Sequence, residues 1–245
     1  MKLIIAGATG FVAQELIRQS LRHPDIKSVV ALARRPVAAP PGAGADGSKL
    51  KSVVVKDYDD YPEEVRRELA GADACIWTVA ITPSKSKRLP FEEVTRVCQT
   101  STLAALEALH EAGVGRPFRF LYMSGTAAER DQSKTPSWMP EYSLLRGETE
   151  NRVLAFAAAH STPSASAPPD FSACVAKAGL ITHSYASSLF ALGLRLAMGV
   201  PSVRLEEVAA AMLQQVTTAH GFEKEPLQNE DLVRIGRRAL GEGRA

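Results

Sequence analysis

A chain of 245 residues, 45% of them hydrophobic, can bury a substantial core, and α/β folds of this length commonly form one domain, so residues 1–245 are read as a single unit. Its 29 Lys and Arg against 27 Asp and Glu leave a formal net charge of +2 with no long basic run, which argues against nucleic acid or an anionic membrane as partner. Cys75, Cys98 and Cys174 lie far apart with no CxxC pair, so they are read as reduced core thiols and no metal site is expected.

Short runs rich in Val, Ile and Leu alternate with stretches of helical period, the pattern of parallel strands covered on both faces by crossover helices. Strands are predicted over 2–6, 28–33, 52–56, 74–80, 118–124 and 173–178, and helices near 12–22, 62–69, 91–112 and 142–160. Six such units predict an α/β, doubly wound, mostly parallel Rossmann sheet of order 3-2-1-4-5-6. Stretches 36–49 and 161–169, rich in Pro, Gly and Ser, read as surface loops. Residues 180–245 read as a helical, substrate-side extension with helices near 186–198, 205–220 and 229–240, Asn229 serving as N-cap of the last. The apolar run 185–200 is shorter than the roughly 20 residues a membrane span needs and contains Arg195, so it reads as an amphipathic helix. Its Tyr185, Leu189 and Phe190 suggest an apolar pocket wall. The chain enters its first strand directly after Met1, so a cleaved leader would remove functional residues, and a cytoplasmic location is expected.

Gly7-Ala8-Thr9-Gly10-Phe11-Val12-Ala13 follows the first strand and opens the first helix, the order a dinucleotide fingerprint needs. Gly7 permits the tight turn, Gly10 lets backbone approach a pyrophosphate, and Ala13 is the third small position. The N–H groups at the helix start then face the phosphates. The second strand ends in Arg34-Arg35, where an NAD-specific protein would place an acid for the ribose hydroxyls. Guanidinium groups there suit a 2′-phosphate, so NADP(H) is the expected cofactor. Asp57 after the third strand and Thr78-Val79-Ala80 closing the fourth are placed by topology near the adenine and the nicotinamide ribose. A strand-end cap is an equal reading of Asp57.

Ser124 stands at the end of the fifth strand, where its hydroxyl can meet a substrate carbonyl or the phenol of Tyr142. Tyr142 and Arg146, four residues apart, share a helix face, so the cation can lie near the phenol and toward the cofactor ribose. A cation there lowers a tyrosine pKa from about 10 toward a range useful for acid–base work. His110, His160, His183 and His220 form no pattern of a triad or ligand set, and 83–88 reads as a solvated basic loop.

The Gly7 to Gly10 turn, the Ser124 strand end, the Tyr142 helix with Gly147-Glu148, and Ala178-Gly179-Leu180 after the sixth strand carry a resemblance along nearly the whole chain. It resembles an atypical short-chain dehydrogenase/reductase, of the branch similar to Tat-interacting-protein-like and NmrA-like Rossmann proteins. That resemblance implies a tyrosine paired with a lysine four residues later that binds the nicotinamide ribose. Here the position is Arg146, which keeps the charge but not the shape. Lys177 lies where the family often has an arginine near the cofactor, and with Ala178 and Gly179 is assigned to cofactor contact. Catalytic roles thus fall to Ser124, Tyr142 and Arg146 in an NADPH-dependent reductase of a small, hydrophobic carbonyl or conjugated-alkene compound. An NADP(H)-binding sensor, or a redox-neutral isomerase or cyclase, uses the same scaffold. The partner is a small molecule, and a homodimer is compatible with this reading.

Overall fold

The computed structural model describes residues 1–41, 47–162, 169–183 and 199–242. The predicted helix 186–198, with Tyr185, Leu189 and Phe190, lies outside the described residues, as do parts of loops 36–49 and 161–169.

Six parallel strands form one sheet: β1 (Lys2–Ala6), β2 (Ser28–Ala33), β3 (Leu50–Val54), β4 (Ala74–Trp77), β5 (Phe118–Gly125) and β6 (Phe171–Ala178), in the order β3-β2-β1-β4-β5-β6. This is the α/β Rossmann sheet expected from the alternating pattern. Strand β1 lies at its centre, its last residue Ala6 opposite both Leu32 and Trp77, so β1, β2 and β4 end level and open one crevice. Strand β4 ends earlier than the predicted 74–80. The Thr78 N–H still bonds the Ala6 carbonyl at 3.2 Å, but the residues that follow leave the ladder. Strand β3 begins two residues before the predicted 52–56, with Leu50 paired to Val29.

One sheet face is covered by α1 (Phe11–Ser20), α7 (Leu205–Thr217) and α8 (Asn229–Ala239), whose Leu16, Met212 and Leu232 share a core with Leu3 and Ile5. The other is covered by α2 (Glu63–Leu69), α5 (Ser101–Glu111) and α6 (Pro140–Ala159), packed on Ile4, Trp77 and Phe120. Much of the C-terminal part is therefore a layer of the sheet's own core. The predicted helix 91–112 is present as α4 (Phe91–Thr95), a π-helical turn at Arg96–Thr100, and α5, after the short α3 (Pro83–Ser86). Beyond β6, β7 (Leu180–Thr182) pairs in parallel with β8 (Ser202–Arg204). The cap of α8 is Gln228, whose N–H meets the Asp231 carboxylate at 3.0 Å. The predicted cap Asn229 instead ties β7 to β8, accepting from Gly179 N at 2.9 Å and donating to the Ser202 carbonyl at 3.0 Å. All three cysteines are free and buried. Among the described residues no helix is long and apolar enough to cross a membrane, and no group of three or more His, Cys, Asp or Glu is placed to hold a metal.

Candidate functional site

The crevice begins where β1 delivers the chain to Gly7, whose φ of 77° is the left-handed conformation that favours glycine. A Cβ on Gly7 would lie 2.7 Å from Thr78 Oγ1 and 3.3 Å from Val79 N, so the turn is also pressed against the end of β4. Gly7 N and Ala8 N donate to the Leu32 carbonyl at 3.0 and 3.1 Å, and Gly10 N closes the turn onto the Gly7 carbonyl at 2.7 Å. Helix α1 then starts with no side-chain cap and no acid in its first turn. The N–H groups of Phe11, Val12 and Ala13 find no acceptor among the described residues. Thr9, Gly10 and Phe11 are exposed, while Ala8 and Val12 anchor the turn in the core. Uncapped donors on a positive helix end, preceded by glycines at 7 and 10, fit a dinucleotide pyrophosphate.

Tyr58 joins this turn without having been singled out by the sequence. Its hydroxyl donates to the Leu32 carbonyl at 3.0 Å and accepts from Gly7 N at 3.2 Å, bracing the ends of β1 and β2. Burial pushes its phenol up to about 12. A hydroxyl-bearing aromatic directly after the acid that follows β3 was the available signal. Asp57 itself is exposed and accepts from Asp59 N at 3.1 Å and Arg96 Nη1 at 3.0 Å. The Asp59 N–H, then Arg96, hold its carboxyl below the usual range. Arg34 and Arg35, just past β2, are exposed and make no ion pair among the described residues. Thr78 Oγ1 donates to the Ala6 carbonyl at 2.7 Å, Val79 is buried, and Ala80 is exposed.

At the other end of the crevice, α6 starts after Met139, with Ser143 N bonding the Met139 carbonyl and Ser143 Oγ the Trp138 carbonyl, both at 2.9 Å. That anchor carries the Tyr142 hydroxyl to the Ile81 carbonyl, to which it donates at 2.9 Å, immediately beyond Ala80. Burial raises the Tyr142 pKa and outweighs the opposing Arg146 cation, so the expected lowering does not occur. Arg146 also departs from expectation. It is buried between α6 and β5, donating from Nη2 to the Met123 carbonyl at 2.8 Å, its guanidinium 5.0 Å from the Tyr122 ring centre. The aromatic face and the carbonyl seat the cation inside the protein, while its Nη1 is buried and finds no hydrogen-bond partner among the described residues.

Ser124 gives its proton to Glu150 at 2.5 Å instead of keeping it for a substrate carbonyl. Glu150 is fully buried, and a buried carboxylate draws every donor in reach. It also receives Arg130 Nε at 2.7 Å and Lys177 Nζ at 3.2 Å. Arg130 continues to Glu225 at 2.6 Å, and Lys177 Nζ also donates to the Ala128 carbonyl at 2.7 Å. The Lys177 charge, assigned from the sequence to cofactor contact, is thus met by Glu150. The Ala178 carbonyl accepts from Thr126 N at 3.1 Å, and Gly179 is bare because the Pro201 carbonyl packs against it. Ser124 and Lys177 are therefore brought together through Glu150, whereas the Tyr142 hydroxyl bonds the Ile81 carbonyl and the Arg146 guanidinium the Met123 carbonyl. Glu150 was legible as the third member of the i, i+4, i+8 row Tyr142, Arg146, Glu150.

Residues 7–160 match the sequence family described as NAD(P)H-binding, a span from the glycine turn to the end of α6. A curated relative, Leucinostatins biosynthesis cluster protein T of Purpureocillium lilacinum, is 27% identical over 124 residues, covering 51% of this chain and 42% of the relative. The chain thus spans less than half the length of that relative. Among solved structures, a double mutant of DesIV (dTDP-glucose 4,6-dehydratase) from Streptomyces venezuelae with NAD bound is similar at TM-score 0.66 and 19% identity, covering 98% of this chain and 81% of that one. MoeE5 in complex with UDP-glucose and NAD has TM-score 0.63 and 17% identity, with 98% and 82% covered. The PhqB reductase domain from Penicillium fellutanum has TM-score 0.65 and 16% identity, with 94% and 67% covered. At these identities the likeness to the solved structures is one of fold.

Proposed function

Because the chain belongs to the NAD(P)H-binding family, we propose that it is an NADP(H)-dependent oxidoreductase that reduces a carbonyl or conjugated alkene of a small hydrophobic molecule. The observation that carries this reading is the Tyr142 hydroxyl, held 2.9 Å from the Ile81 carbonyl directly after the segment 78–80 that follows β4. The donors of residues 11–13 would hold the pyrophosphate, and Arg34 and Arg35, exposed beside that turn, would meet a 2′-phosphate. When bound, NADPH supplies a hydride to the substrate carbon. Tyr142, its pKa raised by burial, is protonated at neutral pH and gives that proton to the substrate oxygen as the C=O π bond breaks. Solvent then returns a proton to the phenolate. Ser124, its hydroxyl engaged by Glu150, is left no proton with which to orient a substrate carbonyl.

Tyr142→Phe tests this assignment. Turnover is expected to vanish while NADPH binding stays intact, with turnover followed as enzyme-dependent transfer of deuterium from C4-labelled NADPH into small molecules of a cell extract. Turnover that survives the substitution sinks the role of Tyr142. Charge reversal at Arg34 and Arg35 is expected to weaken NADPH and spare NADH, and equal loss of both argues against NADP(H) preference. One observation favours a second reading, an NADP(H)-responsive regulatory protein without hydride transfer: Arg146 is buried on Tyr122 and Met123 and leaves Tyr142 with a raised pKa. Such a protein needs different partner affinity in its two cofactor states. Label-free products despite tight NADPH binding would select it.

A further inference from the structure

Six large hydrophobic side chains stand out as exposed among the described residues, and three of them, Leu89, Phe91 and Trp138, come from two segments that meet beside Tyr142. Between those segments lies a cavity of about 310 Å³, bordered by Leu89, Phe91, Met139, Pro140 and Tyr142. It lies at the start of α6. We propose that this cavity is the apolar subsite of the reductase, taking a neutral, ring-sized apolar group attached to the reactive carbonyl. The proposal rests on the reading of Tyr142 as proton donor.

Four features point to a small neutral ligand. The volume is at the small end of the range for small-molecule sites, roughly 300–1,000 Å³. A second protein copy needs about 20–30 residues a side, far more than border this cavity. Lys87 and Glu141, the charged residues among its described lining, have opposite signs, so the rim favours neither an anion nor a cation. Met139 has φ 42° and ψ 63°, a left-handed conformation rare for residues with a side chain. Ser143 clamps it there through the Met139 and Trp138 carbonyls, both at 2.9 Å. Backbone strain of this kind is held where surrounding structure enforces it, and it clusters at ligand sites. Here it turns the chain so that Met139 and Pro140 form one wall and Tyr142 the next.

The test uses the full chain with benzaldehyde as neutral probe and 4-carboxybenzaldehyde as its charged counterpart. Binding is read by saturation-transfer NMR, turnover by NADPH absorbance, and NADPH affinity by fluorescence titration. Leu89→Ala and Phe91→Ala, both on the surface, are each expected to weaken benzaldehyde about tenfold, with NADPH affinity unchanged. Phe91→Leu, which keeps an apolar wall, is expected to retain most of the affinity. The carboxylate analogue is expected to bind at least about tenfold more weakly, because its charge must be desolvated. The proposal is overturned if benzaldehyde does not bind at millimolar concentration, if both alanine variants bind it as the wild type does, or if the two aldehydes bind equally. It is also overturned if Phe91→Ala turns a dimer into a monomer by sedimentation, since the patch is then a subunit contact. Binding that depends on Phe91 without reduction upholds the subsite and defeats the reductase reading. Reduction indifferent to Leu89 and Phe91 does the reverse.

Discussion

Gly7→Ala isolates what the glycine turn contributes to cofactor binding. At φ 77° an alanine is strained by roughly 1–2 kcal/mol, because its Cβ crowds the neighbouring carbonyl. The same Cβ would sit 2.7 Å from Thr78 Oγ1, which is itself tied to the Ala6 carbonyl at 2.7 Å, and displacing that hydroxyl forfeits a hydrogen bond of about 1 kcal/mol. Its exposed half, Thr9 and Gly10, can relieve both penalties by giving up the shape of the turn, so the cost falls on binding, when the shape must be restored. Together the two come to about 2–3 kcal/mol, a loss of roughly 30- to 150-fold in affinity for NADPH. Isothermal titration of the purified variant measures it directly. Gly71→Ala is the internal control: its φ of 67° is as demanding, yet nothing lies within 4 Å of the added carbon and the residue is remote from the turn. It is expected to lose about 2–4 °C in melting temperature for a chain of 245 residues, with NADPH affinity unchanged. If Gly7→Ala binds NADPH within about threefold of wild type and only melts earlier, as the control does, the turn is a folding element and the reasoning fails.

Glu150→Gln leaves the buried Lys177 cation with neutral acceptors and without its counter-charge, and breaking such a buried pair costs about 3–5 kcal/mol, or about 6–10 °C in a thermal melt followed by circular dichroism. Adding Lys177→Met is expected to restore at least half of that loss, since no uncompensated cation then remains. Tyr58→Phe removes the hydroxyl between the Leu32 carbonyl and Gly7 N and is expected to weaken NADPH about fivefold by fluorescence titration, in keeping with about 1 kcal/mol for one hydrogen bond. Because an acid is competent below its pKa and burial raises that of Tyr142, kcat/KM for carbonyl reduction is expected to stay level from pH 7 to 9 and to fall only above about pH 10. A decline centred below about pH 9 contradicts the raised pKa.

What could be read from the sequence follows the range over which each feature is encoded. The glycine turn is local: a strand, two glycines and a helix start lie within a dozen residues, and the physical reason for each is intrinsic to its own backbone. The strand order was likewise legible, since alternating βα units in a right-handed doubly wound sheet leave few arrangements. The fate of the charged side chains was not. Helical spacing placed Arg146 on the face of Tyr142, but its seat is the Tyr122 ring and the Met123 carbonyl on a different element. Ser124 and Lys177 were each read as facing a ligand, because Glu150, which faces both, lies on a third element. A buried carboxylate cannot stay ionised without donors, so once Glu150 is interior the hydroxyl of Ser124 and the ammonium of Lys177 are drawn inward with it. Sequence spacing reports the face a residue occupies. Which partner claims its polar atoms is decided by desolvation after the helices dock, and that decision separates the Tyr142 hydroxyl, at the crevice, from the three charged groups that brace the strands beneath it.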